Sequence, residues 1–143
     1  MKVLNSLLNL KMTYSNSTGS TLCSDLALEG ERFYRDGDFN KGISCFLKAL
    51  AVGTDDLNCL SVIYCQLGNA YFNLQDYARA LEYHRWNFAL ARRMGDSVAE
   101  VCATGNLGNT LQMLGKYEEA IMCFTHELEI AKQLNDKVGF LHK

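Results

Sequence analysis

The sequence predicts an all-α fold, an α-solenoid of about three helical hairpins with a truncated fourth, and three observations predict it. A pattern of small and aromatic residues anchored on Gly30, Gly68 and Gly108 returns at intervals of 38 and 40 residues, and self-similarity at such a period marks stacked repeats. Within each unit the apolar residues follow the 3.6-residue period of a helix, as Tyr64, Leu67, Tyr71 and Leu74 do on one face, and Tyr77, Leu81, His84, Phe88 and Ala91 on another. The segments between are short and rich in Asp and Gly, the residues that start and stop helices.

Residues 1–22 come first. The run Ser15-Asn16-Ser17-Thr18-Gly19-Ser20-Thr21 is too polar to offset its ordering entropy by burial, so a disordered N-terminal tail is expected there. Two asparagines interrupt the apolar opening Met1–Leu10 and no small-residue cleavage site follows, so it does not read as a secretion signal. From residue 23 to 143 the sequence reads as one repeat domain. Its repeats are near 23–56, 61–94 and 101–134, with a truncated start of a fourth at 137–143.

In every unit a small residue stands twelve positions after the anchoring glycine, at Gly42, Ala80 and Ala120. An aromatic precedes it by three (Phe39, Tyr77, Tyr117), Ile43, Leu81 and Ile121 follow it directly, and Phe46, His84 and Phe124 stand four beyond it. Leu50, Phe88 and Leu128 then coincide, as do Ala91 and Ala131. Two small residues at a fixed spacing let two antiparallel helices cross closely, and the aromatics fill the space beside the crossing. One such pair cannot bury its whole apolar face, so neighbouring pairs must stack.

Helices are expected near 24–36, 39–52, 55–73, 77–94, 97–113 and 117–133. Breaks fall at Asp36-Gly37-Asp38, Gln75-Asp76 and Gly115-Lys116, with Asp38 and Asp76 placed as N-caps. Longer breaks at Gly53-Thr54-Asp55, Gly95-Asp96 and Asn135-Asp136 separate the units, and Ser97 with Glu100 has the spacing of a capping box. Val138-Gly139-Phe140 aligns with Val98-Ala99-Glu100, so Lys137–Lys143 reads as the opening turn of a seventh helix. A fragment, a splice form or an incomplete gene product is therefore expected.

Composition excludes several functions. With 14 basic and 16 acidic residues and a net charge of -2, the positive field that drives nucleic-acid binding is missing. No stretch approaches the roughly 18–20 apolar residues of a membrane span. Six cysteines (Cys23, Cys45, Cys59, Cys65, Cys102, Cys123) form no C-x-x-C pair, so no metal and no cofactor are expected. Cys45 and Cys123 hold the same repeat position and read as core residues. His84, His126 and His142 have no acidic or nucleophilic partner at a recurring spacing, and phosphate-loop, zinc-protease and nucleophile-elbow motifs are absent. The chain does not read as an enzyme; the rival of that class is a thiol redox protein.

The segment Tyr64-Cys65-Gln66-Leu67-Gly68-Asn69-Ala70-Tyr71 resembles the tetratricopeptide signature, with Tyr64 in the usual tryptophan position. The lengthened period, together with Leu67-Gly68-Asn69 and Leu107-Gly108-Asn109, is similar to the Partner of Inscuteable family, the Leu-Gly-Asn-repeat G-protein signalling modulators. The resemblance extends through Asp25–Arg32, Gln66–Phe72, Gly105–Leu111 and Gly115–Ile121 and covers residues 23–142. It implies an adaptor that binds extended segments of spindle-orientation and cell-polarity proteins, such as Inscuteable and NuMA, on its concave face. The implied setting is the cytoplasm and cell cortex. The family's GoLoco motifs, which hold inhibitory-class Gα subunits, are absent from this sequence, and direct Gα binding is not expected of it.

By the same resemblance the first helix of each repeat lines the groove. Its exposed positions correspond to Glu31, Tyr34, Arg35, Asn69, Asn73, Asn106, Asn109 and Gln112. An amide both donates and accepts, so repeated amides can hold an extended backbone without dictating its side chains; equally, the asparagines can satisfy neighbouring helix backbone groups and only shape the superhelix. Asn69 and Asn106 also stand where chaperone-tail-binding tetratricopeptide domains place two carboxylate-gripping asparagines. The lysine of that arrangement is replaced by Cys65. A cochaperone binding C-terminal peptides is the alternative within the same fold.

Overall fold

The computed structural model describes the backbone of residues 16–141 and the side chains of residues 21–139. Six helices follow one another there: α1 (Asn16–Arg35), α2 (Phe39–Val52), α3 (Leu57–Asn73), α4 (Tyr77–Met94), α5 (Ser97–Met113) and α6 (Tyr117–Leu141). No strand occurs among the described residues.

Four of the helices start on an aspartate. Asp38, Asp56, Asp76 and Asp96 accept from the amides of Lys41, Asn58 and Cys59, Arg79, and Ala99 at 3.0–3.3 Å, satisfying donors that the first turn leaves without a partner. The tight turns inside the hairpins need one left-handed residue each. Gly37 (φ 82°) and Gly115 (φ 76°) supply it without strain, whereas the second hairpin uses Gln75 (φ 62°).

Helices pair as α1 with α2, α3 with α4 and α5 with α6, and successive pairs join through α2 with α3 and α4 with α5. The first helices also touch along the stack, α1 with α3 and α3 with α5. They approach one another more closely than the second helices do, so the α1–α3–α5 layer forms the inner, concave side of the curve.

The small residues work in two ways. A Cβ on Gly42 would lie 3.2 Å from the carbonyl oxygen of Gly30, so the first hairpin does cross backbone on backbone. Gly30, Gly68 and Gly108 instead receive a ring from the second helix. A Cβ at Gly30 or Gly108 would sit 2.7 or 2.6 Å from the ring of Phe46 or Phe124, and one at Gly68 would collide with His84. Around these contacts lie Cys23, Ile43, Phe46, Ala49, Ile63, Leu67 and Ala70 in one cluster, and Leu81, Leu107, Leu111 and Ala120 in a second. Aromatic contacts knit the middle hairpin: Tyr71 stacks on Tyr83 at 5.7 Å, and Tyr64 stacks on Trp86 at 6.4 Å.

Three expectations change. Helix α1 begins at Asn16, so the last part of the expected disordered tail is helical, including Asn16-Ser17-Thr18; residues 1–15 lie outside the described residues. Helix α6 runs unbroken through Asn135-Asp136 to Leu141, so Lys137–Leu141 continues the third hairpin instead of opening a fourth. Gly95 takes a left-handed C-cap conformation (φ 67°) and stops α4, but Asn135 holds the aligned position in α6, where no glycine ends the helix. Finally, Asp96 caps α5, and no Ser97–Glu100 capping box forms; Glu100 turns instead to His126 at 3.0 Å and Arg92 at 3.7 Å.

Candidate peptide-binding face

Contacts among α1, α3 and α5 join four of the eight expected binding residues, Tyr34, Asn69, Asn73 and Asn106. Asn73, near the end of α3, donates to the Tyr34 hydroxyl of α1 at 3.1 Å and to the Asn69 carbonyl at 2.8 Å. Tyr34 is itself set edge-on against Phe39, with ring centroids 5.3 Å apart. One turn back on α3, Asn69 donates to the sulfur of Cys65 at 3.6 Å. Asn106 of α5 reaches the same sulfur at 3.8 Å. Cys65 is thus the meeting point of two amides from neighbouring helices.

Burial pushes the Cys65 thiol up, Cys102 adds to the effect, and the Asn69 bond opposes it. The sulfur therefore stays a neutral thiol at neutral pH and offers no negative charge to a ligand. Asn109 and Gln112 are exposed on α5 and, among the described residues, make no side-chain hydrogen bond. Glu31 is half-buried and Arg35 exposed on α1. Neither α3 nor α5 contains a Lys, Arg or His, so this part of the surface is polar without being basic.

The remaining candidates resolve as follows. The six cysteines are free; Cys45 is buried and Cys123 half-buried against the second cluster. No group of three metal-ligating side chains occurs among the described residues, and no helix there is long and apolar enough to cross a membrane. His84 is buried over Gly68, and desolvation lowers its pKa to about 4. His126 does have an acidic partner, Glu100, which the linear spacing did not reveal because the two stand on different helices. An open cleft of about 520 Å³ beside this pair is walled by Phe88, Thr104, Leu107, Ile121 and Met122.

The sequence profile of the family described as Tetratricopeptide repeat matches residues 59–133, more than half of the chain. The chain belongs to the tetratricopeptide-repeat family. Over 101 residues it is 55% identical to G-protein-signaling modulator 1 of Homo sapiens, a match covering 71% of this chain and 15% of that protein. This tetratricopeptide chain therefore spans about a seventh of the length of that relative. Among solved structures it superposes on the N-terminal domain of stress-induced protein-1 from C. elegans, with a TM-score of 0.70, 21% identity and coverage of 87% of this chain and 98% of that one. It also superposes on the second tetratricopeptide domain of Spaghetti bound to an HSP90 peptide, with a TM-score of 0.66, 21% identity and coverage of 79% and 95%. These two likenesses concern the tetratricopeptide fold.

Proposed function

We propose that this chain is a protein-binding adaptor that holds an extended peptide on its concave face through Asn69, Asn73, Asn106, Asn109 and Gln112, with Tyr34, Arg35 and Glu31 at one end. The observation that carries the reading is the run of amides across α3 and α5 with no basic residue among them. Such a surface grips backbone carbonyls and amides, and affinity accumulates over several modest contacts. Similarity to G-protein-signaling modulator 1 favours a ligand segment from a cell-polarity or spindle-orientation protein of the Inscuteable or NuMA kind. The setting in this reading is the cytoplasm and cell cortex.

The chaperone-tail alternative has the fold in its favour, through the likeness to the domain bound to an HSP90 peptide. It lacks chemistry. Cys65 lies between Asn69 and Asn106 where a cation would be needed, and a terminal carboxylate desolvated there would be left without charge compensation.

Titration of labelled Inscuteable-type, NuMA-type and HSP90-tail peptides tests the reading. One of the first two binds saturably, and Asn69→Ala with Asn109→Ala weakens it by about 10- to 30-fold, two lost hydrogen bonds of ordinary strength. Binding of the HSP90 tail alone, or of a ligand indifferent to both substitutions in a folded variant, would overturn it.

A further inference from the structure

Two junctions join the three hairpins, and only the first is furnished with rings. There Tyr64 of α3 lies 6.4 Å from both Tyr83 and Trp86 of α4 and stacks on the latter. At an offset of 40 residues, the same three positions of α5 and α6 carry Thr104, Cys123 and His126. Where the rings are missing lies the open cleft of about 520 Å³, bordered by all three replacements together with Phe88 of α4 and Leu107 of α5. Every helix of this junction is in place, since α4, α5 and α6 correspond to α2, α3 and α4 of the first. A helix that followed α6 would not fill it, because Trp86, at the position of His126, stays 56% exposed with α5 packed against α4.

We propose that this cleft receives a tryptophan side chain from an extended segment of a partner protein, seated against Phe88 and Leu107 with its indole N–H donated to His126. The size fits, within the roughly 300–1,000 Å³ of ligand pockets. The walls select a ring. Phe88 stands edge-on to the His126 imidazole with ring centroids 6.1 Å apart, and the Arg92 guanidinium lies 5.8 Å over the Phe88 ring; a third ring joins such a group through edge or offset contacts and gains from the cation. Thr104 ties its hydroxyl to the Glu100 carbonyl at 2.6 Å, so the polar edge of the guest is met by His126. Its Nε2 lies 3.0 Å from Glu100 Oε1. A carboxylate only accepts, so Nε2 is the donor and the Nδ1 of the neutral ring is the acceptor that an indole requires. None of the amides proposed to hold the extended peptide borders this cleft, which makes it a second, separate contact.

Methyl NMR with N-acetyl-tryptophanamide as the probe tests the inference. The probe saturates the chain with a dissociation constant on the order of 1 mM, the strength of one buried ring. It shifts the methyl signals of Leu107 and Met122, which border the cleft, and leaves those of Leu28 on α1 in place. Thr104→Tyr with His126→Trp restores the stacked pair of the first junction and weakens binding by about tenfold or more, in a chain that circular dichroism shows to be folded. His126→Phe keeps a ring without an acceptor; it weakens binding by about 3- to 10-fold and carries the test if the double variant does not fold. No saturable shift, binding that either folded variant retains in full, equal binding of N-acetyl-leucinamide, or binding of free indole alone would each overturn it.

Discussion

Replacing His84 by phenylalanine should stabilise the chain, and more so in acid. The imidazole is 1% exposed, lies over Gly68, and leaves its buried Nδ1 without a hydrogen-bond partner. In the other two hairpins a phenyl ring, Phe46 or Phe124, fills the same position over Gly30 or Gly108. At neutral pH the substitution removes one unsatisfied buried polar atom, worth about 1–2 kcal/mol.

Acid adds a second contribution, whose sign follows from proton uptake. Burial lowers the folded-state pKa from 6.5 to about 4, so as pH falls the unfolded chain takes up the proton first. Stability conferred by the neutral imidazole is intact above 6.5 and is lost as pH falls toward 4, with roughly 2.5 kcal/mol gone by pH 4.5. Phenylalanine does not titrate, and the rest of the acid response is shared by both chains. Urea denaturation followed by far-ultraviolet circular dichroism at pH 7 and pH 4.5 reads the effect. The stability gap should widen from about 1–2 to about 4 kcal/mol. A gap that does not change with pH would mean that His84 titrates as if in water, and a less stable variant at pH 7 would mean that its Nδ1 is satisfied.

Two further substitutions test the local backbone. Asp96→Ala should cost about 1 kcal/mol through loss of the α5 cap, while Ser97→Ala should be close to neutral; equal effects in urea denaturation would restore the capping box that the structure lacks. Gln75→Gly should raise stability by about 1 kcal/mol, because Gln75 holds a left-handed conformation (φ 62°) that glycine adopts freely. An unchanged denaturation midpoint would show that the turn relaxes around the side chain.

The hairpins were legible because their signals are local. A capping aspartate acts over three residues, and a glycine and its opposing ring recur at the same offset in each unit, so Gly30 with Phe46 and Gly108 with Phe124 announce one another. The seventh helix was misread for a matching reason. Asn135-Asp136 aligns with Gly95-Asp96, but asparagine enters the left-handed conformation less freely than the glycine that stops α4, and α6 continues through it. The concave face was legible as a set of positions and not as a network. Nothing in the linear order places Cys65 between Asn69 and Asn106, which stand four and 41 residues away from it, and Glu100 finds His126 across 26 residues. Such pairings exist only after the helices have stacked.

The chain's one tryptophan sits in the middle hairpin, stacked on Tyr64. Its fluorescence therefore reports on the α3–α4 pair, while circular dichroism averages over every helix of the chain. In a stack whose units touch mainly their neighbours, the centre is held from both sides and the ends from one. Any interval between the optical and the helical unfolding curves consequently measures how far the terminal hairpins fray before the centre gives way, and the molecule supplies that local probe without a label.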